Sequence, residues 1–262
     1  MTERSRSIIL VAAVAGVVSL AVTAVAFTAL RGTLVRNYLA EHPEDVQRIV
    51  KDFFIKNPSA LKEIIEAAIG GGQPEQVDKT AAIQNNAEGL FSSPHQVTLG
   101  NPEGDVTVVE FFDYNCGYCR RAVNDMLTLL KDDSKLRVVL KEFPILSPGS
   151  GEAARVAVAV RMQDPKKYLD FHQKMFESPG QADKEKALGA AKLVGLDMER
   201  IEKDMASDEV TQTLAETQKL AQALGIDGTP CYVVGDAMVL GAVGADALKE
   251  KIKSARDKLA AK

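Results

Sequence analysis

The sequence predicts an α/β fold built from a β-α-β unit, a helical insertion and a β-β-α unit. Three observations carry that expectation. The run Val106-Thr107-Val108-Val109-Glu110-Phe111-Phe112 is β-branched and aromatic, as a buried strand should be. A second such run, Arg137-Val138-Val139-Leu140, follows one helix later. A third, Cys231-Tyr232-Val233-Val234, comes only after a long stretch with helical patterning throughout.

The elements follow in order. Glu75 to Leu90 reads as a helix. Gln96 to Leu99 is an edge strand, and Asn101-Pro102-Glu103-Gly104-Asp105 is a turn. After the first core strand, Arg120 to Leu130 is a helix with Ala122, Met126, Leu129 and Leu130 on one side. Leu136 to Phe143 is the next strand. From Gly151 to Leu224 the pattern is helical, broken near Asp164-Pro165, Ser178-Pro179-Gly180 and Gly195. Gly235-Asp236 turns Cys231–Val234 back onto Met238-Val239-Leu240, and Ala245 to Ala261 is a closing helix. Residues 73–262 thus form one catalytic domain, with its helical insertion at about 150–225.

Two further segments precede it. Ile8 to Leu30 carries no charge, follows Arg4 and Arg6 and stops at Arg31. It is longer than the roughly 7–15 apolar residues of a signal-peptide core and suits a span of about 20. Residues 1–31 are therefore expected to be a transmembrane signal-anchor. Cleavage after Ala24-Val25-Ala26 would instead release the chain. Either way the remainder is exported to an oxidising, periplasmic setting, where protein disulfides are made and corrected. Residues 32–72 hold two short amphipathic stretches, starting at Pro43 and Pro58 and matching at an offset of 15 residues. Each has Pro at the first helical position. Val46, Ile49, Val50 and Phe53, then Leu61, Ile64, Ile65 and Ala68, fall at helical spacing. Such helices are marginal alone. They pack on their own catalytic domain or on other copies of the chain, and residues 33–69 are expected to make a homo-oligomer.

Composition narrows the function. The chain has 262 residues, 46% hydrophobic and 26% charged, with a formal net charge of -4. That balance does not point to nucleic acid. Three cysteines exclude a disulfide-stapled scaffold. Two of them stand in Phe111-Phe112-Asp113-Tyr114-Asn115-Cys116-Gly117-Tyr118-Cys119-Arg120, where strand gives way to helix. Cys116 lies at a helix N-terminus, where free N–H groups and the macrodipole favour negative charge. The thiolate is the reactive form of cysteine, and Cys119, one turn later, can attack a mixed disulfide on Cys116. A structural zinc site commonly needs four ligands. Beyond the pair there is only Cys231, and His42, His95 and His172 lack ligand-like spacing. Haem attachment needs His where Arg120 stands. No metal and no cofactor is expected.

The order of elements, Cys-x-x-Cys after the first core strand, Lys141-Glu142-Phe143-Pro144 and Gly228-Thr229-Pro230 before a later strand resemble the thioredoxin fold with a helical insertion. More closely they resemble the bacterial DsbA-like thiol–disulfide oxidoreductases. The resemblance implies that Pro230 is a cis-proline lying against the cysteine pair, and that Cys116 and Cys119 are the redox-active centre. Thr229, Pro230 and Tyr118 would contact substrate. Glu110, six residues before Cys116, would be a buried acid relaying protons with Cys119; a solvated carboxylate at a strand end is the plainer alternative. Gly117-Tyr118 and Thr229 look like the disulfide isomerases of the DsbC type, and the helical N-terminal segment resembles that of ScsC-type proteins. This implies an isomerase- or reductase-leaning protein that acts on client cysteines and disulfides and is reset by a membrane redox partner. A disulfide-donating oxidase and a Cu(I)-binding copper-stress protein are the rival expectations.

Five other positions carry two readings each. Tyr114, Phe143 and Pro144 line a client groove or pack in the core. Lys141 sets local charge or is a solvated surface lysine. Cys231 is a small core residue or a third exchanging thiol. His172 is read as structural.

Overall fold

The computed structural model describes residues 42–57, 59–60 and 79–261. The chain divides into two units between Pro74 and Glu75. In the first, helix α1 covers Pro43–Lys56. Pro43 opens it, where a missing N–H costs nothing. Val50, Phe53 and Ile55 on this helix are exposed. The apolar segment 8–30 and nearly all of the second amphipathic stretch lie outside the described residues. Among the described residues, no helix is long and apolar enough to cross a membrane.

The second unit begins with α2 (Lys79–Asn85) and a π-helical turn (Glu88–Ser92). The helix expected over Glu75–Leu90 is therefore interrupted. The Asn86 side chain donates to the Ala82 carbonyl at 2.8 Å, a local bond that competes with the helical ladder. Then come β1 (Val97–Gly100), β2 (Val106–Phe112), α3 (Gly117–Asp132) and β3 (Leu136–Glu142). The insertion comprises α4 (Pro148–Gln163), a 3₁₀ turn (Pro165–Lys167), α5 (Tyr168–Glu177), α6 (Lys184–Leu193), α7 (Met198–Asp204) and α8 (Asp208–Leu224). It closes with β4 (Cys231–Val234), β5 (Ala237–Leu240) and α9 (Ala245–Ala260). The sheet order is β1-β3-β2-β4-β5. β2 and β3 are parallel, and every other pair is antiparallel. The tight β4–β5 turn needs Gly235 at φ 60, a left-handed conformation that a side chain resists.

Because side chains alternate across a strand, the sheet sorts its residues between two cores. Val108, Phe112, Val138, Leu140, Tyr232 and Val234 face α3, α9 and most of the insertion. Val109, Phe111, Val139, Cys231 and Val233 face α2, the π-helical turn and α8. Helix α4 is apolar nearly all round, from Ala153 to Val160, as a helix buried among others must be.

Lys141 follows the second core and is fully buried, at 0% exposure. It is not a solvated surface lysine. Its ammonium donates to the Gly89 carbonyl at 2.8 Å and lies 3.7 Å from Glu216. Burial pushes its pKa down to about 8, with Glu216 opposing. The unfolded chain holds that proton to about 10.5. Between pH 8 and 10.5 the unfolded state thus binds more protons, and stability from this group rises with pH. Chemical denaturation of wild type and Lys141→Met across that window should show the rise in wild type only. Parallel profiles would contradict it.

Candidate active site

Cys116 is the N-cap of α3, with extended backbone at φ -82 and ψ 116. Its Sγ accepts the Cys119 N–H at 3.3 Å. In the thiol form it donates to the Thr229 carbonyl, 3.2 Å away. The Thr229–Pro230 peptide bond is cis, and the bond to Thr229 places this loop against the cysteine. All three cysteines are free thiols. The Cys119 thiol, donating to the Cys116 sulfur, is the main reason the Cys116 pKa falls to about 5. Burial opposes it, and the Thr229 side chain and the amides of Cys119 and Tyr118 assist. Burial, then the same bond to Cys116, pushes Cys119 far above the usual thiol range. One sulfur is a thiolate at neutral pH, and its neighbour keeps its proton.

The loop that presents Cys116 is clamped by two side chains that sequence reasoning passed over. Asp113 accepts the Asn115 amide at 2.8 Å and the amides of Ile145 and Leu146 at 2.8 and 2.9 Å. Asn115 donates to Ser147 Oγ, Ser150 Oγ and the Ala182 carbonyl at 3.1, 2.9 and 2.9 Å, and accepts the Ala182 amide at 2.7 Å. The residue before the nucleophile thus ties the helical insertion to the cysteine loop. The available signal was two turn-forming polar residues, Asp and Asn, inside an aromatic run.

Glu110 lies on the face that looks toward Cys119 and is 4% exposed. It is not a solvated strand-end carboxylate. Burial raises its pKa to about 8, and the negative charges of Asp125 and Cys116 add to the rise. Tyr232 stands directly opposite it on β4, and its hydroxyl pulls the other way. A carboxyl poised near neutrality beside a protonated thiol can hold or release one proton.

Tyr118 is 59% exposed, with the Arg121 guanidinium 4.4 Å from its ring centre. Tyr114 and Phe143 are core residues, 3% exposed each, and do not line a groove. Tyr114 belongs to a buried chain in which Tyr168 donates to Glu142 and Tyr114 lies 3.3 Å from Tyr168 and 3.2 Å from His172 Nδ1. Burial holds the His172 pKa down to about 3, so the ring stays neutral and structural. Cys231 is buried and faces the second core, across the sheet from Cys119. Burial pushes its thiol up to about 12. Strand alternation removes it from the exchange site. Among the described residues, no group of three or more His, Cys, Asp or Glu side chains is placed to hold a metal.

A strand-to-helix thiolate, a protonated partner one turn later and a cis-proline loop on this sheet define a dithiol–disulfide oxidoreductase of the thioredoxin fold. Residues 107–253 match the DSBA-like thioredoxin domain, and the chain belongs to that family. A thioredoxin-like oxidoreductase from Silicibacter pomeroyi DSS-3 is 47% identical, with TM-score 0.63, over 66% of this chain and 98% of that one. Proteus mirabilis ScsC in a transitional conformation is 27% identical, with TM-score 0.63, over 82% of this chain and 95% of that one. The Bacillus subtilis disulfide bond formation protein D is 27% identical over 188 residues, 67% of this chain and 84% of that protein. The chain is a DsbA-like thiol–disulfide oxidoreductase.

The Glu110 carboxyl has a stability signature. Its folded pKa of about 8 exceeds the ordinary 4.5. Its contribution is therefore full below pH 4.5 and is lost as pH rises through 8. Glu110→Gln should gain on wild type between pH 4 and 9, on the order of 5 kcal/mol at about 1.4 kcal/mol per pKa unit. A pH-independent difference in denaturation midpoint would refute the raised pKa.

Proposed function

We propose that this oxidoreductase is exported and leans toward isomerisation and reduction of client disulfides. The observation that carries the chemistry is the pairing of a Cys116 thiolate with a protonated Cys119 beside the Thr229–Pro230 loop. The Cys116 thiolate attacks a client disulfide. One sulfur–sulfur bond breaks, a mixed disulfide forms on Cys116, and the client's other sulfur leaves as a thiolate. Cys119 then loses its proton toward Glu110 and displaces the client sulfur, giving the Cys116–Cys119 disulfide and a reduced client. In shuffling, another client thiolate displaces Cys116 instead. Run backward, the same steps donate a disulfide. Thr229 and Pro230 hold the client segment extended, and Tyr118 offers it an exposed aromatic face.

Three features support the isomerase lean. Gly117-Tyr118 places no histidine beside the thiolate. The pKa of about 5 falls between about 7 for thioredoxin and about 3.5 for the strongly oxidising DsbA. The exposed apolar residues of α1 favour assembly of several catalytic units through residues 33–69, which would hold a loosened client at high effective concentration. Residues 8–30 anchor the chain in the inner membrane, or direct it to the periplasm before cleavage, and a membrane redox partner resets the pair.

Cys116→Ser should abolish turnover, and Cys119→Ser should accumulate mixed disulfides visible on a non-reducing gel. Glu110→Gln should slow resolution by about tenfold or more. The decisive assay pairs the reduction potential with refolding of scrambled ribonuclease. Recovery of native enzyme by the reduced protein supports isomerisation. Oxidation of reduced ribonuclease without rescue of the scrambled form would make it an oxidase.

A further inference from the structure

We propose that Arg120, Arg121 and Lys186 form a cationic rim beside Cys116 that docks acidic client segments, so that exchange favours cysteines flanked by carboxylates. The inference rests on the exchange chemistry proposed for Cys116.

The first observation is charge placed against a local rule. A helix N-terminus favours acidic side chains and disfavours basic ones. The first turn of α3 holds no acidic residue, and Arg120 and Arg121 follow at once. The Arg120 amide bonds the Cys116 carbonyl at 3.1 Å, one turn from the nucleophile.

The second observation is crowding of like charges. Arg120 Nη1 lies 3.5 Å from the Ser178 carbonyl oxygen, and Lys186 Nζ lies 2.8 Å from the same atom. Lys186 also donates to Gly180 at 3.2 Å. Burial and then the Arg120 charge lower the Lys186 pKa, while Asp183 opposes them. Among the described residues, none of the three cations lies within 4.0 Å of a carboxylate. Two cations on α9 are matched, Lys249 to Asp132 at 2.7 Å and Lys258 to Asp236 at 2.8 Å. In a chain of net charge -4, Arg120 and Lys186 thus meet at one carbonyl without a carboxylate between them, and Arg121 follows on the same helix.

The third observation is rigidity. Asn115, next to Cys116, grips Ala182 through both backbone atoms. Asp183 then caps α6 by accepting the Lys186 amide at 2.9 Å. These bonds tie the backbone that carries Lys186 to the residue before the nucleophile. Exposed Tyr118 and Leu146 add apolar surface for the client's neighbouring side chains. A client carboxylate entering between Arg120 and Lys186 relieves their repulsion and brings its cysteine to Cys116.

The test uses the reduced full chain and three peptides. Each has one cysteine capped as a methyl disulfide and flanked by Asp, Ser or Lys. The reaction converts protein dithiol and capped peptide into protein disulfide, peptide thiol and methanethiol. Each rate is divided by the rate of the same peptide with dithiothreitol, which removes the peptide's own reactivity. The pH is set well above 5 so that Cys116 is ionised throughout. Electrostatic steering predicts about tenfold faster exchange with the Asp than with the Lys peptide at low ionic strength, shrinking as salt screens it. The ratio should approach one in the triple variant Arg120→Ser/Arg121→Ser/Lys186→Ser and persist in Arg120→Lys. Equal normalised rates in wild type overturn the rim while leaving Cys116 exchange intact. So does a preference that survives the triple variant. Failure of wild type with every peptide, while dithiothreitol reacts, overturns the exchange reading itself.

Discussion

A sulfur anion at the start of a helix is the interaction on which the rest of this structure depends. Cys116 Sγ takes the Cys119 N–H at 3.3 Å and the proton of the Cys119 thiol, and that pair of donors separates the two sulfurs into thiolate and thiol. Without that separation, two equivalent thiols would share the site and neither would be poised to attack or to resolve. The surroundings then divide the labour. The cis-proline loop closes one side of the nucleophile, and the Asp113–Asn115 clamp fixes its backbone. Glu110 is buried, and its charge acts on the partner thiol.

The sheet decides which groups can take part. Period-two alternation sends Glu110 and Tyr232 to the face of α3, and Cys231 and Lys141 to the other. Three thiols in the sequence therefore become one pair and one inert core residue. The helical insertion is more than a cover, because Asn115 bonds it to the residue preceding the nucleophile. A rearrangement of the Ser178–Asp183 region would be felt directly at Cys116.

Much of this was legible in the chain. Strand runs such as Val106–Phe112 and the Gly235 turn have local causes, and Cys-x-x-Cys at a strand–helix junction dictates its own chemistry. Thr229-Pro230 was readable only through resemblance to a family, since a lone Thr-Pro is otherwise an ordinary turn. What stayed hidden depended on partners distant in sequence. Lys141 looks like surface until β3 places it opposite Gly89 and Glu216. The Glu142–Tyr168–Tyr114–His172 chain joins four elements that share no local pattern. The end of the first domain helix failed because the Asn86 side chain competes for backbone, an effect that periodicity does not see.

The most direct test of the central claim is the pH dependence of alkylation of Cys116 in the reduced protein, with Cys119 kept protonated by its own environment. The account predicts a single titration with half-maximal reactivity near pH 5. Reactivity that climbs only toward about pH 8.5, as for an ordinary cysteine, would contradict it.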